Sequence, residues 1–329
     1  MQFKELGREQ QDVRDAARAL FAAWDAAHGE LTRDYQAAIG WKDVEGKPHL
    51  VRKEPDGPES DLGPRSPHTE ELFQRFTDGR AALRARMHAM EHEIQKKAAA
   101  VRDADLGRLP RTGALVLRRL DRQGLLGAKA VLAGSSALFA YEAGAGVSLA
   151  LREGARDSDG LIPDADKRLR LGTIAWDAKS LAEHLHHVDA TFAPGKGGRN
   201  QAVNGAGFTV SWVPMPAKPR QRDPRGPHDV NWLLTADTFE AIGFDEGGLP
   251  TRLVAPDPRA FALHKLWLSE RADRPAEKKA RDRAQAIVAG VLARRFLRLA
   301  FAAEDLRLLP VAVLEEGVTP GAPSRPKPG

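Results

Sequence analysis

The apolar positions of this chain change texture about a third of the way along. Val13, Ala17, Leu20, Phe21 and Trp24 recur at helical spacing and predict an amphipathic helix near the N-terminus. Trp41 to Arg52 reads as a short hairpin around Glu45-Gly46-Lys47-Pro48. Residues 53–68 contain Pro55, Gly57, Pro58, Gly63, Pro64 and Pro67 and read as a loop. Phe73, Phe76, Leu83, Met87, Met90, Ile94 and Val101 then return at intervals of three, four and seven. That spacing draws a narrow seam on a long, highly charged helix and suits it to one partner helix. The seam fits the first helix, or a second copy of the chain in a homodimer through residues 70–101. Closing a loop within one chain costs little entropy and favours the first.

A compact helical unit follows Leu109-Pro110, with Leu115, Val116, Leu120 and Leu125-Leu126 apolar. From Ala130 onward short β-type runs alternate with helices. The runs are Val131-Leu132-Ala133, Leu171-Gly172-Thr173-Ile174, Gly207 to Val213 and Thr251-Arg252-Leu253-Val254. Two helices close the pattern, near Phe261 to Glu270 and from about Glu277 to Phe296. The second carries Ala284, Ile287, Val288, Val291, Leu292 and Phe296 along one stripe. Gly317 to Gly329 has the proline- and glycine-rich composition of a disordered tail. The expected organisation is a helical N-terminal segment (1–110), an α/β domain with its closing helices (111–316) and the tail (317–329). No internal repeat is seen.

Composition narrows the class. With 329 residues, 42% hydrophobic and 29% charged, the chain is globular. No window approaches the ~20 uninterrupted apolar residues of a spanning helix, so no membrane partner is expected. The opening Met1-Gln2-Phe3-Lys4-Glu5 has no apolar run with a cleavage site, which points away from secretion. The chain contains no cysteine. Disulfides and thiolate metal sites are excluded, and a cytoplasmic setting is the expectation. The net charge of +5 comes from 50 basic and 45 acidic residues scattered among one another. That reads as a solvated surface rather than a dedicated nucleic-acid stripe.

Two segments carry candidate chemistry. The strand Val131-Leu132-Ala133 runs into Gly134-Ser135-Ser136 and a helical pattern from Ala137. Glycine allows a sharp turn and close approach to a ligand, and a helix N-terminus offers unpaired N–H groups to phosphate. Ser135 or Ser136 can cap that helix, the commoner use of such a junction, or donate to a phosphate. The second segment is Arg156-Asp157-Ser158-Asp159-Gly160. If it is extended, Asp157 and Asp159 face one side together, an arrangement that suits a hard divalent cation. A solvated Asp-Ser-Asp-Gly turn fits it equally well.

Gly134-Ser135, a helix, then Asp157-x-Asp159 resembles the signature of the nucleotidyltransferase superfamily related to DNA polymerase beta. A closer resemblance, to a bacterial family of nucleotidyltransferase-fold proteins, runs from about residue 5 to 300. It rests on Val131 to Val147, ending in Tyr141-Glu142-Ala143-Gly144-Ala145-Gly146, and most specifically on Pro256 to Ser269 with Lys278 to Ala286. Arg108-Leu109-Pro110 and Val116 to Leu120 also fit. The closing helices are similar to those of nucleotidyltransferase toxins of the abortive-infection type, where a lysine and an aspartate complete the nucleotide site.

The resemblance implies a mixed sheet of the polymerase-beta-like type. Gly134, Ser135, Ser136 and Lys265, with Arg281 and Asp282, would bind the nucleotide. Asp157 and Asp159 would act as catalytic metal ligands for magnesium or manganese. A nucleoside triphosphate would be the donor, and RNA or protein the acceptor. One departure stands out. The resemblance places a third carboxylate in the strand Gly207 to Val213, where this chain has Val210-Ser211. Serine is neither an anionic ligand nor a base near neutral pH. Asp164 or Asp166 could substitute. Two expectations follow, an active nucleotidyltransferase or a degenerate fold that binds nucleotide, RNA or protein without turnover.

Other signals read as surface. His184, His186 and His187 with Glu183 and Asp189 suit a solvated helix face better than a metal site. Gly195-Lys196-Gly197-Gly198-Arg199 lacks the Gly-Lys-Ser/Thr ending of a phosphate loop. The basic stretch Lys218 to Pro227 reads as a solvated loop.

Overall fold

The computed structural model describes residues 2–55, 57–150, 161, 167–174, 178–195, 200–215, 233–234 and 236–302. They form two compact units, Asp12–Ala104 and Met1–Gln11 with Asp105–Gly329. In the chain, strand β1 (Gln2–Glu5) precedes helix α1 (Arg8–Tyr35), most of which belongs to the smaller unit.

In the smaller unit α1 buries Ala17, Phe21, Trp24 and Ala27, the stripe that its spacing predicts. The long helix α2 (Pro67–Asp103) buries Leu83 and Met87. Trp24 Nε1 donates to Glu91 Oε1 at 3.2 Å, and the Tyr35 and Phe76 rings lie 5.2 Å apart. The helices therefore run antiparallel, and α1 packs along the seam of α2. A capping box starts α2. Ser66 Oγ accepts from Thr69 N at 3.3 Å, Thr69 Oγ1 accepts from Ser66 N at 2.9 Å, and Pro67 opens the first turn. Between the helices stands a sheet of β2 (Ala38–Val44), β3 (Lys47–Lys53) and β4 (Glu59–Pro64). The β2–β3 turn is the expected hairpin, with Glu45 and Gly46 at φ 53 and 79. Strand β4 corrects the loop reading of residues 53–68. It lies at the sheet edge and its pairing shifts register between Leu50 and Val51, a setting that tolerates proline and glycine. The segment read as helical thus also carries a sheet.

The larger unit is mixed α/β, as the alternation from Ala130 predicts. Its main sheet has the order β6 (Ala130–Leu132), β8 (Arg168–Ile174), β11 (Thr209–Met215), β10 (Gln201–Val203) and β9 (Ala193–Pro194). Strands β8 and β11 are parallel and the other neighbours antiparallel. A second sheet joins β13 (Pro250–Pro256), β12 (Thr238–Asp245) and β5 (Gly107–Leu109), and β1 pairs with β7 (Val147–Ala150). The four predicted runs became β6, β8, β11 and β13. Strand β12 escaped the pattern because its burial does not alternate cleanly, with Gly243, Phe244 and Asp245 buried in succession.

Helix α3 (Arg111–Arg122) buries Ala114, Val116, Leu117 and Leu120. Helix α4 (Ala137–Ala145) is buried on every side, which explains its uniformly apolar sequence. Tyr141 Oη donates to the Pro256 carbonyl at 2.7 Å, and its ring meets Phe239 and Phe261 edge-on. Glu142 accepts from Arg108 Nε and Leu149 N, each at 3.1 Å. Burial raises the pKa of its carboxyl against the opposing pull of Arg108. Gly146 ends the helix at φ 66. The Tyr141 to Gly146 run thus serves core packing and a helix end.

Helix α5 (Ala178–Val188) follows β8 in the chain, and α6 (Pro258–Glu270) packs against α7 (Ala276–Val291) near the chain's close. The Asp257 carboxylate caps α6 by accepting from Arg259 N at 2.7 Å. The last predicted helical stretch does not stay α-helical to Phe296, since Leu292–Phe296 forms a π turn. No helix among the described residues is long and apolar enough to cross a membrane. The stretches 196–199, 218–227 and 317–329 lie outside the described residues.

Candidate functional site

The turn at Gly134 is built by its neighbour β8. Ala133 N donates to the Arg170 carbonyl at 2.9 Å, and Arg170 N donates to Ser136 Oγ at 3.1 Å. Gly134 sits at φ +54, and a Cβ there would stand 2.9 Å from Arg170 Cδ. Both the turn and the close approach require glycine. The capping role expected of the serines fails for Ser136, whose side chain makes no cap bond and instead receives the β8 backbone.

Alternation along β8 turns Leu169 and Leu171 into the core and leaves Arg168 and Arg170 together on the opposite face. On α7, Lys278, Arg281, Asp282 and Gln285 fall at i, i+3, i+4 and i+7, one helical face. Helix α6 contributes Lys265, and the connection from α6 to α7 contributes Arg274.

These groups converge on a cavity of about 220 Å³. Gly134, Ser135, Ser136, Lys265, Arg281 and Asp282, the six candidates for nucleotide binding, all line it. Arg168, Arg170, Arg274, Lys278 and Gln285 complete the described wall. Of those five, Lys278 and Gln285 could have been found from their spacing to Arg281 and Asp282. The two β8 arginines carried only an alternation signal. Ser269, one turn beyond Lys265, does not line the cavity, and its hydroxyl donates to the Leu266 carbonyl at 2.6 Å.

The cavity is electrostatically one-sided. Six basic side chains and a single carboxylate line it among the described residues. That carboxylate, Asp282, is 2% exposed and fully engaged. Its Oδ1 accepts from Lys265 Nζ at 2.8 Å, and its Oδ2 accepts from Arg274 Nε at 2.6 Å and Nη2 at 2.5 Å. Lys265 is itself buried, with Nζ 5.5 Å from the Phe261 ring centre. Desolvation lowers its pKa, Asp282 opposes the shift, and Arg274 and Arg170 reinforce it. Desolvation, then the charges of Arg274 and Arg168, also lower the pKa of the Arg170 guanidinium. Gln285 is 1% exposed, donates through Nε2 to the Leu161 carbonyl, and leaves Oε1 buried without a partner among the described residues.

The proposed metal ligands Asp157 and Asp159, and the substitutes Asp164 and Asp166, lie outside the described residues. Where the resemblance calls for a third carboxylate, Ser211 on β11 stands in register beside Arg170 on β8. Among the described residues no cluster of three or more His, Asp or Glu side chains could hold a metal. The described wall therefore does not fit a divalent cation, and it fits a polyanion. His184 is partly buried rather than fully solvated, and burial is the first cause of its lowered pKa.

Residues 111–308 match the model of a protein family described as nucleotidyltransferase. No curated protein and no solved structure matches the chain.

Proposed function

The chain belongs to this nucleotidyltransferase family, and on that premise we propose that it moves a nucleotidyl group from a nucleoside triphosphate to a hydroxyl of an RNA or protein acceptor. The observation that carries the reading is the cavity itself, in which six basic side chains surround the Gly134-Ser135-Ser136 turn. In the reaction the acceptor oxygen bonds to the α-phosphorus and gives up its proton. The bond from the α-phosphorus to the bridging oxygen breaks, and pyrophosphate leaves with the electron pair. Negative charge grows on the leaving group, and preorganised cations stabilise charge where it develops. Lys265, Arg274 and Arg281 supply those cations here, with Asp282 holding the first two in place. Asp157 and Asp159 are the residues assigned to magnesium or manganese.

The test is transfer. Purified protein would be incubated with each labelled ribonucleoside triphosphate, magnesium, and total RNA or protein as acceptor. Label appearing on an acceptor, with release of pyrophosphate, is expected. Nucleotide binding without any transfer would instead establish a binding module, the reading favoured by Ser211 standing beside Arg170.

Lys265 makes binding sensitive to pH. Its pKa lies below the ordinary 10.5 because its ammonium is desolvated. The charged form therefore costs folding stability, fully so below the lowered pKa, and the cost is relieved as pH rises toward 10.5. Ligand binding has the opposite sign. Affinity should fall on the order of tenfold as pH climbs through the lowered pKa, because one charge-assisted contact is lost. The charged groups that face it are Asp282, Arg274 and Arg170. Titrating Kd from pH 7 to 10 checks the fall, and Lys265→Arg should move it to higher pH.

A further inference from the structure

We infer that the cavity grips the triphosphate chain with the protein's own cations, so that a nucleoside triphosphate binds here without a divalent metal. The inference rests on the nucleotide reading above and concerns how that nucleotide is held.

The cations approach from three elements and a connection. Arg170 comes from β8, Lys265 from α6, Arg274 from the connection, and Lys278 and Arg281 from α7. A chain of linked phosphates presents acceptor oxygens along its whole length, and only a wall with donors on several sides can meet them together. The Gly134-Ser135-Ser136 turn lines the same space, where a backbone free of a side chain lets phosphate come close.

A metal-bridged phosphate chain would find the wrong partners on this wall. Magnesium seeks oxygen ligands at about 2.0–2.1 Å in near-octahedral order. The single carboxylate on the described wall has both oxygens committed, to Lys265 and to Arg274. Along the described wall, an ion carried in with the phosphates would meet ammonium and guanidinium groups. Binding magnesium also removes two negative charges from the triphosphate, leaving less for these cations to meet.

The cavity concentrates like charge: after desolvation, the charges of Arg274 and Arg168 lower the pKa of Arg170 further, whereas at Lys265 Asp282 opposes the shift more strongly than Arg274 and Arg170 reinforce it. A polyanion relieves that repulsion, so the cavity favours one.

The experiment measures the affinity of ATP, GTP, CTP, UTP and inorganic tripolyphosphate by calorimetry, once in EDTA and once in magnesium. Thermal unfolding in EDTA is followed alongside. At least one nucleotide should bind in EDTA no more than about threefold weaker than in magnesium. Tripolyphosphate should compete with it and raise Tm, as any ligand selective for the folded state does. Arg170→Ala and the exposed Lys278→Ala should each weaken metal-free binding on the order of tenfold, the loss of one charge-assisted contact. Circular dichroism would confirm that both variants are folded.

Binding that needs magnesium, with a loss of a hundredfold or more in EDTA, would overturn this inference and leave the nucleotide reading standing. Nucleotide binding that tripolyphosphate does not contest, or that neither variant weakens, would overturn it too, by showing recognition away from the phosphate chain. Absence of nucleotide binding in both conditions would defeat the nucleotide reading itself.

Discussion

Asp282→Ala should lower the unfolding free energy by about 3–5 kcal/mol, the usual consequence of removing one partner from a buried ionic pair. Asp282 is 2% exposed and answers two cations, Lys265 at 2.8 Å and Arg274 at 2.6 Å. Without it, Lys265 is left desolvated among Arg274 and Arg170 with no carboxylate of the described wall to oppose them. A typical domain has only about 5–15 kcal/mol of net stability, so a large share would go. Urea unfolding of wild type and variant reads the loss, and Asp282→Asn separates lost charge from lost volume. Saturating nucleoside triphosphate should restore part of the stability, because the ligand brings negative charge to the same cations. A variant within about 1 kcal/mol of wild type would show that the network is not holding Lys265 and Arg274 in place.

The second large effect concerns transfer rather than folding. Asp157→Ala together with Asp159→Ala should reduce the rate of nucleotidyl transfer by at least about 10³-fold, the scale on which losing charge stabilisation at a reacting centre is felt. Nucleotide affinity should stay within a few-fold of wild type, since the six basic side chains of the described wall are left in place. Single-turnover rates and binding isotherms on the same preparations check both halves. Equal loss of affinity and rate would mean that the aspartates hold the nucleotide and that the cavity's cations are secondary. An unchanged rate would remove Asp157 and Asp159 from the chemistry altogether.

The two predictions divide the labour of the proposed site. The described cavity holds and neutralises phosphates. The aspartate pair is assigned the metal and with it the transfer step. Ser211 beside Arg170 sharpens that division, since the strand next to β8 places no carboxylate at this register position.

Much of this organisation was legible in the residues. The seams of α1 and α2, the hairpin around Gly46 and the strands β6, β8, β11 and β13 follow from the spacing of apolar positions, because burying those positions fixes helix face and strand phase locally. Gly134 could be singled out at a strand–glycine–serine–helix junction, whereas Lys265 and Asp282 were marked by the resemblance of the closing helices to nucleotidyltransferase toxins and not by their spacing alone. Strand β4 could not, because its prolines and glycines are also loop residues, and only its place at a sheet edge makes them acceptable. Ser136 was misread for a related reason. A serine before a helix has a local use as a cap, whereas its actual partner, the Arg170 N–H, is 34 residues away.

What the sequence by itself determined is therefore the set of elements and the residue types each presents, since these depend on periodicity and near-neighbour sterics. Only the tertiary structure decided that Arg168 and Arg170 face the same cavity as Lys265, Arg274, Lys278 and Arg281. That meeting depends on β8 pairing with β6 and on α6 packing against α7. Pairings between distant segments are selected by the burial of the whole core, and no local pattern of charges encodes them.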